Sequence, residues 1–221
     1  MPPPTFEGLK AKARDWLAVD AGRIADSVIG DCLNLGMRDL AREHDLWFNE
    51  QRHVENVDAN SPGLDLPEDF SRPFSIKYRL PGEGKTTFLE QRGREEFENE
   101  FPEEQTSPLP PTGLPKVYAL WAGLLWFGPR PDRTITVTSN YYSVPADLTD
   151  DVLGGTNQNL FTKYAWETIF FRGLVYATRY LLEDPRKALW QELAQESETR
   201  LLIEHSRARH AGRRLVMEEP G

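Results

Sequence analysis

The chain has 221 residues, of which 39% are apolar and 11% aromatic, with a formal charge of −9. That length suits one domain or a domain with one insertion, and the aromatic content, six Trp included, argues against disorder. The acidic balance disfavours a protein that grips DNA, because phosphate neutralisation needs clustered Lys and Arg.

The start, MPPPTFEGLK, carries no charged-then-apolar signal pattern, and no apolar run is long enough to span a bilayer, so the expectation is a soluble intracellular protein. Thr5 is placed to cap a first helix reaching about Val19, with Phe6, Leu9, Ala13, Trp16 and Leu17 on one side. A second helix runs from about Arg23 to His44, its stripe being Ile24, Val28, Cys32, Leu35 and Leu40. Cys32, the single cysteine, forms no internal disulfide and reads as a small buried hydrophobe. After Asn49 the texture changes to short runs between Pro and Gly. Arg52–Val57, Phe74–Leu80, Thr86–Glu90, Lys116–Trp121, Leu124–Phe127 and Arg133–Ser139 read as strands, with turns at 81–85, 122–123 and 128–132. One or two helical turns fit 93–101, and 107–115 reads as an extended, Pro-rich loop. The gaps look too short for crossover helices, which predicts antiparallel pairing. A third helix runs from Asn159 to about Leu182. Asp184-Pro185 stops it and starts a last helix to about Arg209, with Ala188, Leu189, Leu193, Ala194, Ser197 and Leu201 in one stripe.

The expected class is therefore α+β: a four-helix bundle, residues 1–49 and 150–211, with an antiparallel β module, 50–149, inserted between helices two and three, and a tail at 212–221.

The stretch GEGKTT, 82–87, spells half of a phosphate-binding loop. Such a loop needs a first glycine at 79, where Arg79 stands, and amide donors that Pro81 removes. Thr86-Thr87-Phe88-Leu89 favours a strand after it, so 81–85 reads as a hairpin turn and Lys85 as a solvated side chain. His205 and His210 are five apart and splay around a helix instead of stacking as metal ligands. The run Glu95, Glu96, Glu98, Glu100, Glu103, Glu104 lacks a calcium-loop pattern and reads as a solvated face. No catalytic, cofactor or metal constellation emerges. The third helix is different: Phe161, Trp166, Phe170, Phe171, Leu174, Tyr176 and Leu181 do not share one stripe, so it needs cover on several sides. Either it is the central helix of the bundle, or a neighbouring subunit supplies part of the cover, with Trp166, Phe170, Phe171 and Leu174 as the candidates for that packing. The C-terminal stretch is basic in an acidic chain: Arg207, Arg209, Arg213 and Arg214, followed by Leu215, Val216 and Met217.

Three segments then carry a resemblance. VIGDCLNLGMRDLAREHDLWFNE, 28–50, places an Asn before a small-Arg-x-apolar run closed by an aromatic. LDLPEDFSRPFSIKY, 64–78, enters a strand through Leu-Pro-x-Asp-Phe. LPKVYALWAGLLWFGPRPDRTITVTSNYYSVPADLTDD, 114–151, runs from Pro-x-x-Tyr through x-Pro-x-Pro to Tyr-x-x-x-Pro-x-x-Leu. In this order, over about residues 5–205, the chain resembles the head-to-tail adaptor proteins of tailed bacteriophages. The resemblance implies a structural protein without catalysis or cofactor. It implies a homo-oligomeric ring, typically of twelve copies, made in the host cytoplasm and placed in the virion neck. Such a ring binds the portal protein on one side and a tail, nozzle or tail-fibre protein on the other. Packaged DNA passes its lumen without sequence-specific binding, and no membrane is involved. It also implies that Arg207, Arg209, Arg213, Arg214, Leu215 and Val216 meet the portal, with portal carboxylates as partners of the arginines and DNA phosphates as the competing acceptor. The alternatives are another neck or tail-completion protein of the phage and, more distantly, a phosphate-loop nucleotide-binding enzyme.

Overall fold

The computed structural model describes residues 4–18, 23–102, 111–150, 158–181 and 184–210. They divide into two compact units: residues 1–49 with 144–221, and residues 50–143.

In the first unit α1, Phe6–Leu17, starts where the Thr5 side chain accepts a hydrogen bond from the Gly8 amide at 3.1 Å. It ends at Ala18 in the left-handed region, φ 51° and ψ 47°. The orphan carbonyls of Trp16 and Leu17 accept from the Arg186 guanidinium at 2.9 and 2.8 Å. Helix α2, Asp26–Glu43, buries Ile29, Cys32, Leu33, Met37 and Leu40. Leu35, expected on that stripe, is exposed. Gly36, silent to a hydrophobicity reading, takes the helix contact in its place: a Cβ there would sit 3.1 Å from the Gly173 amide nitrogen and 3.2 Å from the Ile169 carbonyl.

Past a 3₁₀ turn, Trp47–Asn49, and the intervening second unit, the chain returns as α4, Leu160–Tyr164, α5, Trp166–Ala177, and α6, Lys187–His210. A capping box between Asn159 and Thr162 opens α4. Helix α5 packs between α2 and α6 and also touches α1. Its Ile169, Phe170, Leu174 and Ala177 are buried with Leu9, Leu33, Met37 and Trp190 in one core. Each large side chain so buried contributes about 1.5–3 kcal/mol.

Residues 144–150 belong to this unit. The buried Asn34 side chain donates to the Leu148 carbonyl at 3.1 Å and accepts from its amide at 2.8 Å. Arg38 makes a two-pronged pair with Asp147 at 2.8 and 2.9 Å, and the buried Lys10 reaches Asp150.

The second unit is layered. β1, Glu50–Val57, β3, Phe70–Arg79, β4, Thr86–Phe88, and β10, Ile135–Ser143, form one antiparallel sheet in the order β1-β10-β3-β4. β2, Gly63–Asp65, β5, Glu90–Gln91, β7, Val117–Trp121, and β8, Leu124–Gly128, form a second in the order β2-β8-β7-β5. Ile76, Tyr78, Ile135 and Val137 from the first meet Tyr118, Leu125 and Phe127 from the second. Helix α3, Arg94–Glu100, covers the other face of the second sheet by seating Phe97 against Val117, Ala119, Trp121 and Trp126. β6, Thr112–Gly113, and β9, Arg130–Pro131, make a third, two-stranded sheet. The β7–β8 hairpin turns through Ala122 and Gly123, both at positive φ, 53° and 78°.

This corrects the expected architecture. Among the described residues there are six α-helices and ten strands in three sheets, not a four-helix bundle carrying a small antiparallel insert. The third expected helix is broken at Ala165, φ −132° and ψ 21°. Phe161 and Phe170, nine residues apart, would point to opposite sides of one continuous helix at 3.6 residues per turn. The break lets both enter the same core. Nor is the pairing wholly antiparallel: β5 pairs β7 and β6 pairs β9 in parallel. The connection 92–116 is long enough for a crossover and carries α3.

Candidate interaction surfaces

The nucleotide-loop lookalike is resolved by topology. Residues 80–85 join antiparallel β3 and β4, Gly82 supplies a positive φ of 80°, and nothing lies within 4 Å of where a Cβ on Gly84 would be. Lys85 is exposed. A phosphate loop needs a strand leading into a helix, and here a strand follows.

His44, His53 and His205 have structural partners. His205 Nδ1 accepts from the Trp47 amide at 3.1 Å and so ties α6 to the 3₁₀ turn. His53 lies 3.0 Å from Glu55. Glu43, His44 and Glu198 could between them offer a cation three ligand atoms. Arg172, on α5, already fills that role. Its guanidinium bonds Glu43 at 2.5 Å and Glu198 through both Nε, at 3.2 Å, and NH2, while His44 holds the other Glu198 oxygen at 2.7 Å. Burial pushes the Glu198 carboxyl up, but the hydrogen bonds from Arg172 and His44 outweigh it and hold the group below its ordinary value. This internal ion cluster joins α2, α5 and α6. Sequence reading missed it because its members are spread over 155 positions of the chain, from Glu43 to Glu198, with no local motif.

The four expected packing residues separate into two kinds. Phe170 and Leu174 are fully covered by their own chain. Trp166 and Phe171 are half-buried, and Phe171 borders Trp16, which keeps 39% of its surface. Trp16 lies 5.4 Å from Phe170, 5.7 Å from Phe171 and 5.5 Å from Trp190, and Lys12 stands over the rings of Trp16 and Trp166. The result is an aromatic patch with a cation above it. Nearby, the break at Ala165 opens a groove of about 310 Å³ lined by Lys163, Tyr164, Glu167, Arg200 and Glu204, with Arg200 paired to Glu167 at 3.3 Å. Of the expected portal-facing residues, Arg207 and Arg209 are exposed on the last turns of α6. Arg213, Arg214, Leu215 and Val216 lie outside the described residues, as does most of the 103–113 loop.

A family model described as SU10 adaptor protein matches residues 4–217. The chain belongs to this family of phage head-to-tail adaptors. No curated protein matches it. For an SU10 adaptor the informative features are the aromatic patch, the basic end of α6 and the faces of the layered unit. No described helix is long and apolar enough to cross a membrane.

Proposed function

We propose that this SU10 adaptor is a structural protein of the virion neck that assembles as a ring of twelve copies beneath the portal, joins the portal to the tail or nozzle, and leaves a lumen for packaged DNA. Family membership over residues 4–217 carries the reading. The half-exposed Trp16, Trp166 and Phe171 support it as a subunit contact, since aromatic side chains gain most on being covered at an interface. The formal charge of −9 accords with DNA that passes without being held. Residues 205–217 insert against portal subunits, Arg207, Arg209, Arg213 and Arg214 meeting portal carboxylates and Leu215 and Val216 an apolar pocket. The β unit supplies contacts to the tail.

The test is electron microscopy of the purified chain mixed with its portal, alongside binding of a chain truncated after Ser206. The expected outcome is a coaxial ring with the full chain, and a truncated chain that keeps its helical circular dichroism but binds the portal more weakly. The lost affinity should be the salt-sensitive part. No ring on the portal refutes the adaptor-ring reading. Unchanged affinity after truncation refutes the tail as anchor.

A further inference from the structure

The outer face of the β1-β10-β3-β4 sheet is not an ordinary solvated surface. The register places Val54, Thr138, Lys77 and Phe88 in one row across all four strands, with Arg79 in the row on one side and Arg52 on the other. Phe88 is 65% exposed, Val54 49% and Phe74 46%, and Phe74 lies against Tyr142 on this same face. A sheet face with three large apolar side chains in water normally has a partner. Among the described residues no carboxylate forms an ion pair with Arg52, Lys77 or Arg79.

The opposite surface of the same layered unit is acidic. Helix α3 turns Phe97 inward and leaves Glu95, Glu96, Glu98 and Glu100 exposed. Arg92 and Arg94 neutralise Glu96 and Glu98. Glu95 and Glu100 have no basic partner among the described residues. The order through the unit is therefore basic and apolar sheet face, first sheet, second sheet, acidic helix.

We propose that the basic, apolar sheet face of one copy packs on the acidic α3 face of the next copy. This rests on the ring reading above and deepens it. Two complementary surfaces lying back to back on one unit give a head-to-tail contact, which propagates around a ring and does not close a two-fold dimer. Lys77 and Arg79 project about 7 Å apart on one strand, within reach of carboxylates on one short helix. The sheet face offers roughly 300–400 Å² per copy, from strand spacing and rise, less than the ~800 Å² per partner of a stable free complex. The contact is therefore weak between free chains and adds to other contacts in an assembled ring. Nucleic acid is the less favoured occupant, because residues 50–143 hold fifteen Asp and Glu against ten Lys and Arg, so the unit as a whole repels a polyanion.

The test needs no portal, so its outcome is separate from that of the docking experiment. One chain carries Lys77→Cys and another Glu95→Cys; the native Cys32 is buried and shielded from reagent. The two are mixed at high concentration with a short bis-maleimide. Cross-linked dimers are expected in the mixture well above either variant alone. They should fall about tenfold or more when Arg79→Glu is added to the first chain, and recover when Glu100→Arg is added to the second. No cross-linking above the single-variant controls overturns the proposal. So does binding of a single-stranded oligonucleotide that Lys77→Glu abolishes, which would assign the face to nucleic acid.

Discussion

Replacing Gly36 by Ala tests whether α2 and α5 cross as closely as the structure requires. Two effects oppose each other. Removing a glycine from a helix interior stabilises by about 1 kcal/mol. The new methyl, however, would lie 2.9 Å from the Arg172 Cβ, 3.1 Å from the Gly173 nitrogen and 3.2 Å from the Ile169 oxygen. None of these is the end of a flexible side chain, so the helices themselves must separate, and overpacking of this kind costs about 1–3 kcal/mol. The net expectation is a loss of up to about 2 kcal/mol. Gly173→Ala should be milder: its closest contact, 2.6 Å, is the mobile Leu33 Cδ2, with the Leu33 Cα at 3.1 Å behind it. Gly84→Ala is the control, because its added methyl meets nothing within 4 Å. Urea unfolding followed by the helical circular-dichroism band should rank the three variants Gly36, Gly173, Gly84 from most to least destabilised. A Gly36→Ala protein stabilised by the full ~1 kcal/mol of an unhindered helical glycine-to-alanine exchange would falsify the close crossing.

Asn34→Leu should cost about 2–4 kcal/mol, because it strips both hydrogen bonds from the buried Leu148 backbone; an unchanged urea midpoint would refute that clamp. Ala18→Gly should stabilise by several tenths of a kcal/mol up to about 1 kcal/mol by relieving the left-handed backbone at the end of α1, read as a rise in thermal midpoint; a fall would contradict it. Glu198 has a folded pKa below its ordinary value, so its stabilisation is complete above the ordinary glutamate range and is lost as pH falls through the folded value. The stability difference between wild type and Glu198→Gln should therefore shrink on acidification from neutral pH, and a difference independent of pH would show that the carboxylate's charge is not what matters.

Local chemistry was legible in the sequence wherever it acts over a few residues. Thr5 before Phe6, the apolar alternation of Ile135 and Val137, and the Gly82 turn each signal their element through propensity and periodicity, and the structure has a cap, a strand and a hairpin there. The missing glycine at 79 likewise sufficed to demote GEGKTT. The break at Ala165 was not legible, because nothing local forbids a helix there; it forms because Phe161 and Phe170 must enter one core. Parallel pairing of β5 with β7 was missed although helical turns were expected at 93–101, because nothing local says that α3 carries the chain across the sheet instead of capping a hairpin. In the stripe expected for α2, Ile24, Cys32 and Leu40 are buried and Leu35 is not, because Gly36 beside it makes the close contact and a glycine contributes packing without hydrophobicity. Trp166, Phe170, Phe171 and Leu174 looked alike as a set, and only packing divides them into two core residues and two that border an exposed patch. The Arg172 cluster and the two-faced layering of residues 50–143 likewise depend on side chains far apart in the chain meeting at contact distance. Charge and periodicity along a sequence carry no record of which distant face a side chain meets, so these features were decided by the tertiary structure alone.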